Sequence, residues 1–206
     1  MTNARLAAAR TLVALERGRT TLAAELERER PELRDARDRA LFLEITAGTL
    51  RWRAEVDACL AACSTRPVGD LSPHVRSVLR TAAYQILHLA RVPAHAVVSE
   101  AVETVRAIGQ PPAAGFVNAV LRRLARGSHG RRRLPPRPAN PADHDASVEY
   151  LSITLSHPAW LVSRWLRRVG LDAAEHWCKF NNASPAVTVR PKPRSSEEGA
   201  VFAIST

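Results

Sequence analysis

Three residue types in this chain could do covalent or acid–base chemistry, and their spacing decides what they are fit for. The thiols are Cys59, Cys63 and Cys178. Cys59 and Cys63 stand four apart, about one helical turn, with no nearby histidine or third cysteine to complete a tetrahedral zinc site. Simple burial explains both, and three thiols give no disulfide framework of a secreted fold. Glu100 and Glu103 share a helix, but carboxylates three apart are common on solvent-facing surfaces and need a cleft before they can divide acid from base. His88 follows Tyr84 by four residues, with no acid or cysteine at a catalytic or metal-binding offset, so a structural role is predicted. No catalytic residue and no metal ligand is assigned. No glycine-rich turn follows a strand either, since Gly127 and Gly130 stand in an arginine-rich stretch.

What remains is charge. Thirty basic residues against twenty acidic ones give the 206-residue chain a formal charge of +10. The first 66 residues carry 12 basic and 10 acidic groups, residues 67–126 carry 7 and 3, and residues 127–206 carry 11 and 7. The excess therefore lies beyond the first helices. A basic balance favours polyanions through a sequence-independent field, which DNA, RNA and anionic lipid would all feel. Only Lys179 and Lys192 are lysines. Arginine's planar fork suits phosphate, and a compositional bias of the source genome explains the same preference equally well. The RNA-binding candidates are Arg5, Arg10, Arg122, Arg123 and the run Arg131, Arg132, Arg133. Their support is charge and placement, without a base-reading geometry.

These arginines need elements to hold them. Hydrophobic residues make up 46% of the chain and aromatic residues 5%, which points to close-packed helices. Ala4 to about Arg17 has helical apolar spacing, stopped at Gly18. Thr20 or Thr21 caps a short second helix ending near Pro31. A longer helical region starts around Asp35, with Leu41, Ile45, Gly48 and Trp52 on one face, and Val56 and Leu60 prolong it past a bend. Gly48 is read as a place where another helix approaches closely. Ser72 and Pro73 start a strongly periodic helix through Val75, Val78, Leu79, Ala82, Ala83, Ile86 and Leu87. Pro93 opens the next, broken at Gly109–Pro112. The last of the set carries Phe116, Val117, Val120, Leu121 and Leu124, with Arg122, Arg123 and Arg126 near its C-terminus, where they suit the helix dipole or RNA phosphate.

Three segments follow from this reading: a helical domain over 1–126, a basic Pro/Arg-rich linker over 127–146, and the start of a further mixed α/β region over 147–206. In the last, Pro158 opens a helix, Gly170 separates it from another, and Ala186–Arg190 alternates like a strand. The fold expected is all-α in its first part, a helical bundle, followed by an incomplete α/β segment. The N-terminus lacks the apolar stretch of a signal peptide and nothing approaches membrane-spanning length, so a cytoplasmic chain without a membrane partner is expected.

The blocks RALFLEITAGTLRW (39–52), RSVLRTAAYQIL (76–87), Glu100-Ala-Val-Glu103 and FVNAVLRRL (116–124) are similar, in that order, to the antitermination-factor NusB fold. His157-Pro-Ala-Trp-Leu161, Trp165, Asn181-Asn-Ala-Ser-Pro185 and Val187-Thr-Val-Arg190 resemble the region that follows a NusB-like domain in bacterial 16S rRNA cytosine-C5 methyltransferases. That resemblance implies a helical RNA-binding appendage whose target is 16S rRNA. It also implies S-adenosylmethionine and a cysteine nucleophile in a later domain. None of the cysteines here follows a proline, no cofactor is expected on this chain, and this chain alone is expected to be inactive. The pattern also departs after the strand, where Arg190-Pro191-Lys192 stands in place of Arg-x-Asn. The alternatives are a transcription-antitermination RNA-binding factor and a degenerate product without function. The residues give no support for a protein partner or a homodimer.

Overall fold

The computed structural model describes residues 4–33, 35–127 and 134–183. Nine α-helices occur among them: α1 (Ala4–Glu16), α2 (Leu22–Glu29), α3 (Ala36–Arg51), α4 (Arg53–Cys63), α5 (Pro73–His88), α6 (Ala94–Ala107), α7 (Ala114–Ala125), α8 (His144–Glu149) and α9 (Ala159–Asn182). Among the described residues there is no strand.

α5 is the axis of the bundle, packed against α1, α3, α4, α6 and α7. Its start is dictated locally: Ser72 Oγ accepts a hydrogen bond from the Val75 N–H at 3.3 Å, and Pro73 occupies the first turn, where its missing N–H costs nothing. Val75, Val78, Leu79, Ala82 and Ala83 are buried together with Val56 and Leu60 of α4, Val97 and Val105 of α6, and Val117 and Leu121 of α7. Each large aliphatic side chain removed from water here stabilises the fold by about 1.5–3 kcal/mol. A smaller cluster lies between α1 and α3, where Ala4, Ala7 and Ala8 meet Leu33, Phe42 and Ile45. The alanines let the two helices lie close. α3 buries Thr46 and Thr49 without an unsatisfied hydroxyl because each donates to the carbonyl four residues back, at 2.7 and 2.6 Å.

Gly48 has the role its position suggests. A Cβ there would lie 2.0 Å from Cζ of Tyr84, so the missing side chain makes room for the ring. The Tyr84 hydroxyl then donates to Glu44 Oε1 at 2.6 Å. The Tyr84 ring stacks on His88, which stacks on Trp52 with centroids 4.6 Å apart. His88 Nε2 donates to Glu55 Oε2 at 2.7 Å. That acidic partner comes from α4, 33 residues away in sequence, so no local offset announces it.

Residues 134–183 form a second, smaller unit. Asp143 caps α8 by accepting from the Ala146 N–H, and a π-helical turn over Tyr150–Thr154 continues it. α9 is kinked at Gly170, whose φ of 77° lies in the left-handed region that only glycine enters cheaply. The kink folds its second arm back, so that Asn182 Nδ2 donates to Leu155 O at 2.9 Å, beside the start of the first arm. Tyr150, Leu151, Leu155, Val162, Leu166, Leu171, Ala174 and Cys178 form the core between the arms. Trp160, Trp177 and Phe180 stay exposed.

The expected incomplete α/β segment is therefore corrected: residues 134–183 close a hydrophobic cluster with helices alone. The physical reason is that the β-branched and apolar stretch from Val148 to Leu155 enters a capped helix, and the kink at Gly170 supplies the second layer that a sheet would otherwise provide. The strand expected at Ala186–Arg190 lies outside the described residues.

This unit rests on the bundle where the turn over Tyr150–Thr154 packs against α4. Leu134 packs against the main core, and the Glu55 N–H of α4 donates to Ser156 Oγ at 2.9 Å. No side chain at the N-terminus of α4 itself caps that helix, so Ser156 satisfies one of its orphan donors from 101 residues away. Ser156 holds a left-handed backbone, φ 54°, to do so. Within the second unit, Arg137 Nε donates to Glu175 Oε2 at 2.8 Å, Tyr150 Oη donates to Glu175 Oε1 at 2.9 Å, and Lys179 lies 2.6 Å from Oε1. Burial alone would raise the Glu175 carboxyl, but the hydrogen bonds from Lys179, Arg137 and Tyr150 outweigh it and hold the group at about 2.

Candidate nucleic-acid interface

The break at Pro111–Ala113 folds α6 and α7 into a helical hairpin, and a groove of about 680 Å³ runs along it. Its floor is apolar, made by Val98, Val102 and Ala114. Three arginines line it, Arg106 from the last turn of α6 and Arg122 and Arg126 from the end of α7, together with His95. Only Glu103 opposes this charge in the lining, and it pairs with Arg106 at 2.7 Å. Both partners are more than half exposed, so the pair is worth well under about 1 kcal/mol and leaves Arg106 free to exchange. Arg122 Nε donates to Asn118 Oδ1 at 3.0 Å, which holds its guanidinium over the groove.

A second concavity, about 460 Å³, is lined by Arg10 and Arg17 of α1, Arg28 of α2, His74 of α5 and the end of α6 at Ala107 and Ile108. Arg106 borders one hollow and its neighbour Ala107 the other. Glu29, also in the second concavity, is buried. Burial pushes its carboxyl above the ordinary range against the pull of Arg28 and Arg10. Its carboxylate accepts a hydrogen bond from Arg28 at 3.1 Å.

The arginines singled out from sequence are distributed as follows. Arg122 lines the α6–α7 groove and Arg10 the second concavity. Arg5 is partly buried in neither: its Nε donates to Gln85 Oε1 at 3.0 Å. Arg123 turns the other way and donates to the Cys63 carbonyl at 3.3 Å, satisfying the C-terminal end of α4. Arg131, Arg132 and Arg133 lie outside the described residues. Sequence reasoning missed Arg17, Arg28, Arg106, His74 and His95. The signal for Arg106 and His95 was available: folding the chain back at Pro111–Pro112 brings the α6 face of His95, Ser99 and Arg106 opposite that of Gly115, Arg122 and Arg126. Nothing local marked Arg17 or Arg28.

The thiols are placed for packing. Cys59, Cys63 and Cys178 are buried, and burial, helped by the charge of Glu175, pushes the Cys178 thiol up to about 11. A pyrimidine-attacking cysteine needs the opposite shift. Among the described residues no three His, Cys, Asp or Glu side chains converge as metal ligands, and no helix is long and apolar enough to cross a membrane. S-adenosylmethionine does not fit the described residues either, because none of their glycines stands in a strand-to-helix turn.

Residues 2–126 match the NusB family. The chain is similar to ribosomal RNA small subunit methyltransferase B of Pseudomonas putida, 31% identical over 202 residues, covering 98% of this chain and 43% of that protein. The protein of the same name in Pseudomonas syringae is 31% identical over 192 residues, 93% of this chain and 40% of that one. In Xanthomonas campestris it is 43% identical over 123 residues, 59% and 28%. The chain thus spans less than half the length of each of these relatives. A similarity that runs over 202 residues reaches past residue 126 into the second helical unit.

Proposed function

This chain belongs to the NusB family through residues 2–126, and from that premise we propose that it binds RNA of the small ribosomal subunit. In this reading it is the RNA-holding part of an S-adenosylmethionine-dependent rRNA cytosine-C5 methyltransferase, with the methyl-transfer chemistry supplied by residues outside it. The observation that carries the reading is the α6–α7 groove lined by Arg106, Arg122, Arg126 and His95, beside a second concavity lined by Arg10, Arg17 and Arg28. A belt of this kind grips phosphates and positions the strand; it does not read bases. Arg131, Arg132 and Arg133 enter the proposal by charge and sequence position alone. The similarity to the Pseudomonas putida enzyme beyond residue 126 supports this reading over a stand-alone antitermination factor.

The test is a titration of the purified chain with 16S rRNA fragments at several salt concentrations, beside unrelated RNA of equal length. Binding should weaken linearly in log–log form with salt. Replacing Arg106, Arg122 and Arg126 by alanine should flatten the slope by roughly 0.7 per arginine on single strands. An unchanged slope would remove the groove from the interface. Equal affinity for unrelated RNA would remove specificity for 16S rRNA.

A further inference from the structure

The second helical unit carries a line of rings that starts at Trp165, which packs on its core, and runs out to the exposed Trp177 and Phe180. His157 and Trp165 have centroids 5.9 Å apart, and Trp165 meets Trp177 edge to face at 5.6 Å. The kink at Gly170 makes this possible, because it lays the arm bearing Trp177 back against the arm bearing Trp165. Phe180 stands one turn beyond Trp177, and the two remain 74% and 40% exposed. A perpendicular ring pair cannot cover the faces of both rings, so flat aromatic surface stays open to solvent.

The first arm, residues 159–169, carries arginines and no carboxylate. On the second arm, Asp172 pairs with Arg137 at the surface, and Glu175 is held by Arg137, Tyr150 and Lys179. Arg164 and Arg168 lie exposed on the first arm, on either side of Trp165 in sequence. Rings interleaved with arginines suit an anionic chain with flat, stackable groups. A purely apolar protein contact would leave these cations without counter-charge.

We propose that His157, Trp165, Trp177 and Phe180, flanked by Arg164 and Arg168, form a stacking platform for unpaired nucleotides of the bound RNA. The bases lie on the open ring faces while the arginines hold the adjoining phosphates. This rests on the RNA-binding reading above and sharpens its substrate to a region that presents single-stranded bases. The platform is distinct from the belt on the bundle: the belt grips phosphates in any conformation, whereas the rings accept only bases out of a duplex.

The whole chain is titrated with two RNAs, an unpaired uridine oligonucleotide of about 12 nucleotides and a fully paired hairpin of similar charge. Phe180→Ala and Trp177→Ala should each weaken the oligonucleotide by roughly tenfold, the scale of one stacked base, and the hairpin by less than about twofold. Trp177→Phe should recover most of the loss. Phe180 is exposed, so its variant keeps the fold, which circular dichroism verifies. Oligonucleotide binding unchanged in both alanine variants overturns the platform while leaving RNA binding intact. Wild-type protein that binds neither RNA overturns the underlying reading instead. Sedimentation of the wild type as a dimer that Phe180→Ala dissociates would assign the rings to a protein contact and also overturn the platform.

Discussion

Glu175→Gln isolates the charge that fastens the second unit. The carboxylate accepts from Arg137, Tyr150 and Lys179 at 2.6–2.9 Å, and the isosteric amide keeps its volume while losing its charge. Holding the group at about 2 rather than 4.5 corresponds to about 3 kcal/mol at neutral pH. Arg137 and Lys179 are 42% and 61% exposed, so solvent screening brings the expected loss to about 1–2 kcal/mol. The folded carboxyl titrates below its unfolded value. Its contribution is therefore full above about pH 4.5 and drains away as pH falls towards 2, with roughly three-fifths gone by pH 3. Urea unfolding of both proteins at pH 7, 5, 4 and 3, followed by tryptophan fluorescence, measures the gap directly; three of the four tryptophans, Trp160, Trp165 and Trp177, report this unit. A gap that stays constant with pH would refute the electrostatic account and leave only packing. No gap at pH 7 would refute the node itself.

Other outcomes follow from single contacts. Gly48→Ala drives a methyl into the Tyr84 ring and should cost about 2–4 kcal/mol in denaturant titration; pairing it with Tyr84→Ala should recover part of that loss. Ser156→Ala removes the cap on α4 and should destabilise by about 1 kcal/mol, whereas Ser156→Gly loses the same hydroxyl but relaxes the left-handed backbone, so its unfolding midpoint should lie above that of the alanine variant. Cys178, buried and with its thiol pushed up to about 11, should resist a thiol reagent such as Ellman's at pH 8 until the chain is unfolded in urea; rapid labelling of the native protein at that position would contradict its placement.

Much of the bundle was legible because its signals are local. Ser72–Pro73 announce the start of α5, Gly18 follows the end of α1, and the absence of a side chain at Gly48 is a statement about a neighbour even before the neighbour is known to be Tyr84. The site was legible only in part. Arg122 and Arg10 could be picked by charge, but charge does not separate them from Arg123, which is spent on the Cys63 carbonyl, or from Arg5, which is tied to Gln85. Separating them requires knowing which helices adjoin. The second unit was misread because the α/β expectation rested on the alternating stretch Ala186–Arg190, whereas the fold-back at Gly170 lets the helices before it close a hydrophobic cluster without a sheet.

The capping of α4 by Ser156 has a consequence for how the chain divides. A cut through the Pro/Arg-rich segment would look harmless on a diagram of helices, yet it would take away a hydroxyl that completes the first turn of a helix inside the bundle. The two units are in this sense not tenants of one chain but joint owners of a secondary-structure element. Unfolding the smaller one should loosen α4, and through the Trp52–His88–Tyr84 column beside it the packing of α3 on α5. A bundle built to stand by itself would need Ser, Thr, Asp or Asn where this one has Trp52.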